Sequence, residues 1–145
     1  MDKNKAVYEY LQTYPQLHNW LYFNTIINAP ENASMLTADD VVLQSYIDGT
    51  EIRNYIFEVA FLKEYDTGTS EINADALEET THFIEWIEEQ NTNGNFPVFN
   101  ENEEVQGSEV NNTVPSMAVD QNSGVARYTI NVVISYLKER MERNG

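Results

Sequence analysis

Two rhythms of apolar residues run along this chain. The first has a period of two. Across 41–62, runs rich in Val, Ile, Tyr and Phe flank Asp48-Gly49, a strong local signature of a β-hairpin. A two-residue type I′ turn at Asp48-Gly49 places Ile47 opposite Thr50 and Val42 opposite Tyr55. In the second arm Tyr55, Phe57, Val59 and Phe61 form an apolar face, whereas Asn54, Glu58 and Glu64 interrupt the other, so the core is expected on the odd side. A second strand is predicted over 127–137. There Tyr128, Ile130, Val132, Ile134 and Tyr136 alternate with Thr129, Asn131 and Ser135.

The other rhythm is helical. Ala6, Val7, Tyr10, Leu11 and Tyr14 predict a short amphipathic helix, with Asp2 as N-cap and Pro15 closing it. Leu77, Phe83, Ile84, Trp86 and Ile87 cluster on one side of a longer helix over 74–90, with Glu78, Glu79, Glu85, Glu88 and Glu89 on the other. Asn73 is its expected cap and Asn93-Gly94 its stop. Between these elements the pattern is weaker. Residues 17–27 fit helix or strand equally, 28–40 read mostly as loop, and 105–119 as one strand or two pieces around Pro115. Residues 120–124 read as a turn, and 138–145 as a last helical turn or a frayed tail. The sum is a single α+β domain over 1–145: an antiparallel β-sheet built on a central hairpin, with helices packed on one face.

Charge changes this picture from a fold to a surface. The formal net charge is −16, and between Lys63 and Arg127 there is no Lys or Arg while Asp and Glu recur throughout. Such a chain does not gain from counterion release on a nucleic-acid backbone, so no sequence-specific nucleic-acid binding is expected. The absence of cysteine excludes disulfides and thiolate chemistry. No apolar run is long enough to span a bilayer and no signal-peptide core follows Met1, so the chain reads as made in the cytoplasm, with no membrane partner.

Candidate chemistry is thin. The histidines are His18 and His82, and Glu78 and Glu85 lie within one helical turn of His82. Two histidines without cysteine make a poor ligand set, so an exposed helix histidine is the better reading. The run Asp120-Gln121-Asn122-Ser123-Gly124 lacks the glutamate that ends a calcium loop and fits turn chemistry instead. The pairs Glu78/Glu79 and Glu88/Glu89 read as a solvated helix face, and Trp20 and Trp86 as core anchors. No nucleophile elbow, P-loop, dinucleotide fingerprint or HExxH run is present. No catalytic residue, cofactor or metal is therefore expected, and the chain reads as a non-enzyme.

The runs Tyr46-Ile47-Asp48-Gly49-Thr50, Tyr55-Ile56-Phe57, Trp86-Ile87-Glu88-Glu89-Gln90-Asn91 and Ala126-Arg127-Tyr128 carry a resemblance. In that order and spacing the chain resembles small structural proteins of long-tailed phages and prophages of Gram-positive bacteria, labelled minor capsid, tail completion or tail terminator proteins. The resemblance implies a virion protein that forms a homo-oligomeric ring, typically a hexamer, on the last ring of the tail tube. Such a ring stops tube growth and offers the surface for head–tail joining, so the implied partners are the tail tube protein and the head–tail connector protein. Within the ring, Arg53, Lys63 and Arg127 would face acidic neighbours such as Glu88 and Glu89 as subunit contacts. Two alternatives stand beside it: another neck or connector component of the same particle, or an acidic DNA mimic that inhibits a nucleic-acid-binding protein.

Overall fold

A computed structural model describes residues 2–17, 21–66, 68, 70–112, 114–120 and 122–140. Asp2 opens helix α1 (Lys3–Leu11): its backbone is extended and its side chain accepts from the Asn4 amide at 3.0 Å. The chain continues through β1 (Leu21–Phe23), β2 (Asn32–Ser45), β3 (Glu51–Glu64), α2 (Ser70–Asn93), β4 (Glu103–Val110), β5 (Ser116–Asp120) and β6 (Val125–Lys138). The sheet runs β1-β2-β3-β6-β4, and β5 continues the β4 edge along the other half of β6. Every pairing is antiparallel except β1 with β2, so one short parallel edge makes the sheet mixed. The α+β fold expected from the pattern is the one observed.

Strict alternation puts the core where the odd residues of β3 meet the even residues of β6. Tyr55, Phe57, Val59 and Phe61 pair with Ile134, Val132, Ile130 and Tyr128, and all eight are buried. Both helices lie on this face. Ala6, Val7, Tyr10 and Leu11 of α1 and Ala76, Phe83, Ile84 and Ile87 of α2 join the same apolar cluster. Ring contacts tie the helical segments to each other and to the sheet: Tyr14 meets Phe83 at 5.2 Å and Trp86 sits against Tyr10 at 5.3 Å, while Phe61 of β3 meets Phe83 at 5.3 Å. Each large side chain so buried contributes roughly 1.5–3 kcal/mol before ordering entropy is subtracted. Trp86 is half-buried and packs against this core from its edge; His18 and Trp20 lie outside the described residues.

Several sequence expectations need correction, among them Leu77, which stands exposed rather than on the buried side of α2. The turn is a three-residue loop, Ile47-Asp48-Gly49, not a two-residue one. Tyr46 N donates to the Thr50 carbonyl at 2.8 Å and Gly49 N to the Tyr46 carbonyl at 3.0 Å. Only Gly49 takes a left-handed backbone, at φ 90°. This type I turn with a glycine bulge spares Asp48 the positive φ that a type I′ turn demands. Its carboxylate instead accepts from Thr50 N at 3.0 Å. The register moves with it: Val42 pairs with Arg53, and Tyr55 with Asp40.

Residues 28–40 are not mostly loop, because β2 begins at Asn32. Irregularities at Thr37/Asp39 and Val42/Gln44 interrupt its alternation and hid the strand. Leu21–Phe23, from the ambiguous stretch, is strand. The long helix starts at Ser70, so Asn73 is no cap; its side chain donates to the Asp66 carbonyl at 2.8 Å and accepts from the Asp66 amide at 3.2 Å. At the other end the expected stop holds. Gly94 sits at φ 67°, Asn95 N reaches the Gln90 carbonyl at 2.9 Å and Gly94 N the Asn91 carbonyl at 3.2 Å, a Schellman closure. Residues 105–119 form two pieces, β4 and β5, with Pro115 between them on the sheet edge. Lys138 ends β6 rather than starting a helical turn, and 141–145 lie outside the described residues.

Among the described residues the second sheet face carries no helix. Residues 24–31 form a strap over one end of it. Ser34 Oγ donates to the Thr25 carbonyl at 2.6 Å, Asn28 Nδ2 to Asp120 at 3.3 Å, and Glu31 N to the Leu62 carbonyl at 2.7 Å. Under this strap Ser34, Ala60 and Leu62 are buried although they point away from the helices.

Candidate functional site

The helix-facing end of the sheet nearest the hairpin tip holds a polar network centred on Asp40. Its carboxylate accepts from Tyr136 Oη at 2.7 and 2.9 Å and from Arg53 Nε at 3.2 Å. Arg53 also donates to Glu51 at 3.0 Å and to the Asp40 carbonyl at 3.1 Å. Lys3 Nζ lies 3.6 Å from Asp40, donates to Glu103 at 3.0 Å and stands 5.5 Å from the Tyr136 ring centre. The Glu103 carboxylate, 1% exposed, accepts from Asn100 Nδ2 at 2.8 Å as well. Tyr55 Oη donates to Asn4 Oδ1.

Burial and the Asp40 carboxylate push the Tyr136 phenol above its ordinary pKa, and burial with the Asp2 and Asp40 charges does the same for Tyr55. Both phenols are thus held as donors. Desolvation opposes the Arg53 charge, but its bonds to Glu51 and Asp40 outweigh that and raise its pKa. The network fastens α1 to β2, β3, β4 and β6. An open cleft of about 350 Å³ beside it is lined by Asp2, Lys3, Asn4, Asp39, Asp40 and Tyr55. Its one basic group, Lys3, is bound to Asp40 and Glu103, and its one phenol, Tyr55, donates to Asn4, so these groups tie the elements around the cleft together.

Lys63 anchors the opposite end. It is 5% exposed and donates to Glu31 at 3.0 Å and Glu79 at 2.6 Å, joining the strap to α2. A cavity of about 20 Å³ opens beside it among Tyr14, Gln16, Leu17 and Phe61, enough for a single water. The structure therefore separates the five predicted contact residues into three kinds. Arg53 and Lys63 spend their charge on carboxylates of their own chain. Arg127 is half-buried on the helix-free face, with Nε lacking a hydrogen-bond partner among the described residues. Glu88 and Glu89 are exposed on α2. His82 is half-buried on α2, and among the described residues no cluster of His, Asp and Glu is arranged to hold a metal ion.

No family model and no curated protein matches the chain. Its surface is what speaks for function. Glu71, Asp75, Glu78, Glu85, Glu88 and Glu89 stand exposed along α2, a helix without Lys or Arg. Against that acidic skin, the hairpin tip is apolar. Ile47 is fully exposed, and Leu43, Tyr46 and Val42 are 58, 45 and 40% exposed. These residues escaped the sequence reading because an apolar run beside a turn looks like core. The available signal was the turn itself, since a tip that projects past the helices cannot be covered by them. Among the described residues no helix is long and apolar enough to cross a membrane.

Proposed function

We propose that this chain is a tail terminator: a structural virion protein that caps the phage tail tube as a ring, ends tube growth and presents the head–tail joining surface. The observation that carries this reading is the acidic face of α2, from Glu71 to Glu89 without a Lys or Arg, on a chain of net charge −16. A ring through which DNA must pass benefits from walls that do not hold phosphates. The resemblance in the tip, the second hairpin arm, the end of α2 and the start of β6 supports it. So does an architecture whose polar networks fasten elements together. Electron microscopy of the purified protein, alone and with matching tail tubes, tests the reading. Rings and capped, length-limited tubes are expected; a protein that stays monomeric and never binds tube ends overturns it.

The same charge favours one second reading, an acidic DNA mimic. It predicts salt-sensitive capture of a basic nucleic-acid-binding protein by the immobilised chain at low ionic strength. Recovery of such a partner, together with tube ends left uncapped, would move the assignment to that reading.

A further inference from the structure

We infer that this sheet guards its own edges, with Asn and Asp side chains occupying the backbone groups that an incoming strand would need. An open strand edge presents a row of unpaired N–H and C=O groups, and another extended segment can pair with it. The longest such row lies on β2. β1 pairs only with Ala33, Ser34 and Met35, so among the described residues 36–45 have a strand neighbour on the β3 side alone. Most of this stretch is exposed, and Thr37, Ala38, Asp39 and Asp40 line the open cleft beside the start of α1. Nothing but local chemistry therefore stands between this edge and a second strand.

That chemistry is in place. Asn24 N donates to the Met35 carbonyl at 2.8 Å, and Thr37 N donates to Asn24 Oδ1 at 2.8 Å, so the Asn24 side chain continues the ladder where β1 stops. Its left-handed φ of 52° is one that Asn tolerates better than most residues. Three residues on, Asp40 N donates to Asp39 Oδ1 at 2.8 Å, and the Asp40 carbonyl accepts from Arg53 Nη2 at 3.1 Å. The irregularities at Thr37/Asp39 and Val42/Gln44 leave only 39–42 in regular pairing between them. The opposite edge repeats the device. Ser108 N on β4 donates to Asn91 Oδ1 of α2 at 3.0 Å. Where β6 lies between the ends of β4 and β5, Asn131 N donates to Asn112 Oδ1 at 3.0 Å and the Thr129 carbonyl accepts from Asn112 Nδ2 at 3.1 Å. A short side chain with a carbonyl or carboxylate oxygen mimics a backbone partner but offers no further row to pair with. Strand addition must first break these bonds, so the caps hold both edges closed.

The test compares the full chain with Asn24→Gly/Asp39→Ala, which removes both β2 caps. Glycine is chosen at position 24 because it adopts the left-handed φ without strain. Asp39→Asn is the control: it has the same net charge as the double variant but keeps an acceptor for Asp40 N. Light scattering over a concentration series should show the double variant associating beyond wild type, at a concentration lower by roughly 10-fold or more. Asp39→Asn should match wild type. Adding Val42→Lys, a charge at an exposed position of the same edge, should reverse the added association. Hydrogen exchange should find the Thr37 and Asp40 amides unprotected in the dilute double variant and protected again once it associates. A double variant no larger than wild type at any concentration overturns the inference. So does Asp39→Asn associating like the double variant, which would make charge the barrier, or association that survives Val42→Lys or leaves those amides unprotected. If circular dichroism shows the double variant unfolded, Asp39→Ala alone carries the same comparison against Asp39→Asn. Every form is read against wild type, so the outcome does not depend on whether wild type forms rings.

Discussion

At the scale of single residues, Gly49 does what no other residue type could do as cheaply. Its φ of 90° is left-handed, and a Cβ placed there would come within 2.9 Å of Arg140 Cδ and 3.1 Å of its Cβ. Arg140 is a flexible side chain at the end of β6 and can move. The backbone conformation cannot relax without changing the loop type, so strain dominates. Gly49→Val is expected to lose about 1–2 kcal/mol or more of stability in urea unfolding, since an L side chain pays that much in the left-handed region and a β-branched one tolerates it worst. Gly94→Ala supplies the control: φ is 67° but nothing lies within 4 Å of the added carbon, so its loss reports strain alone. If Gly49→Val matches wild type, the three-residue loop is wrong.

Among elements, α2 is the one whose sequence works against its own C-terminal end. It carries no base in its last turn, and Glu88 and Glu89 stand exposed near the carbonyl end, where the helix dipole disfavours negative charge. Replacing both by Gln should stabilise the fold by about 0.3–1 kcal/mol per residue at low salt, shrinking as salt is added. Thermal unfolding at two ionic strengths would check this. The gain should appear even if the pair also serves a subunit contact, in which case assembly weakens while the monomer becomes more stable. Elements differ in how plainly they were written. In β6 buried and half-exposed positions alternate over most of the strand and in β3 over 54–59, and both strands were legible. In β2 the irregularity after Thr37 moves the core-facing set from Ala33 and Met35 to Asp40, which opposes Tyr55, so no period of two survives. Three-residue β1 is too short for any period, and its parallel pairing is set by β2 rather than by its own pattern. The acidic helix face was legible from composition and spacing. The exposed tip was not, because Leu43 and Ile47 differ from core residues only in what fails to cover them.

For the whole molecule, the decisive condition is alkaline pH. Phenols on the helix-covered face include Tyr10, Tyr14, Tyr55 and Tyr136, from three elements and the turn after α1. Burial raises the pKa of Tyr10 to about 12; burial, with the Glu85 and Glu79 charges, does the same for Tyr14. Tyr55 and Tyr136 are raised as well, chiefly by burial. A phenol whose folded pKa exceeds its unfolded value keeps its proton in the native state after the unfolded chain has lost it. Its contribution is therefore complete below the ordinary value of 10.0 and disappears as pH climbs through the folded value. Four such groups acting together make the loss steep, and every tyrosinate formed adds to a charge already at −16, raising the self-repulsion of the compact state. Stability should thus fall with rising slope from pH 10 towards about 12. Tyrosinate absorbance and far-ultraviolet circular dichroism should change together, because these phenols ionise by unfolding. Replacing Tyr10 by Phe removes one such group without removing its ring from the core, at the cost of the hydrogen bond to the Asn95 carbonyl. That variant should start less stable at neutral pH but lose stability less steeply in alkali. Four phenols that titrate freely near pH 10 while the circular dichroism holds would mean that the core face is open to solvent, and that the helices do not cover the sheet as described.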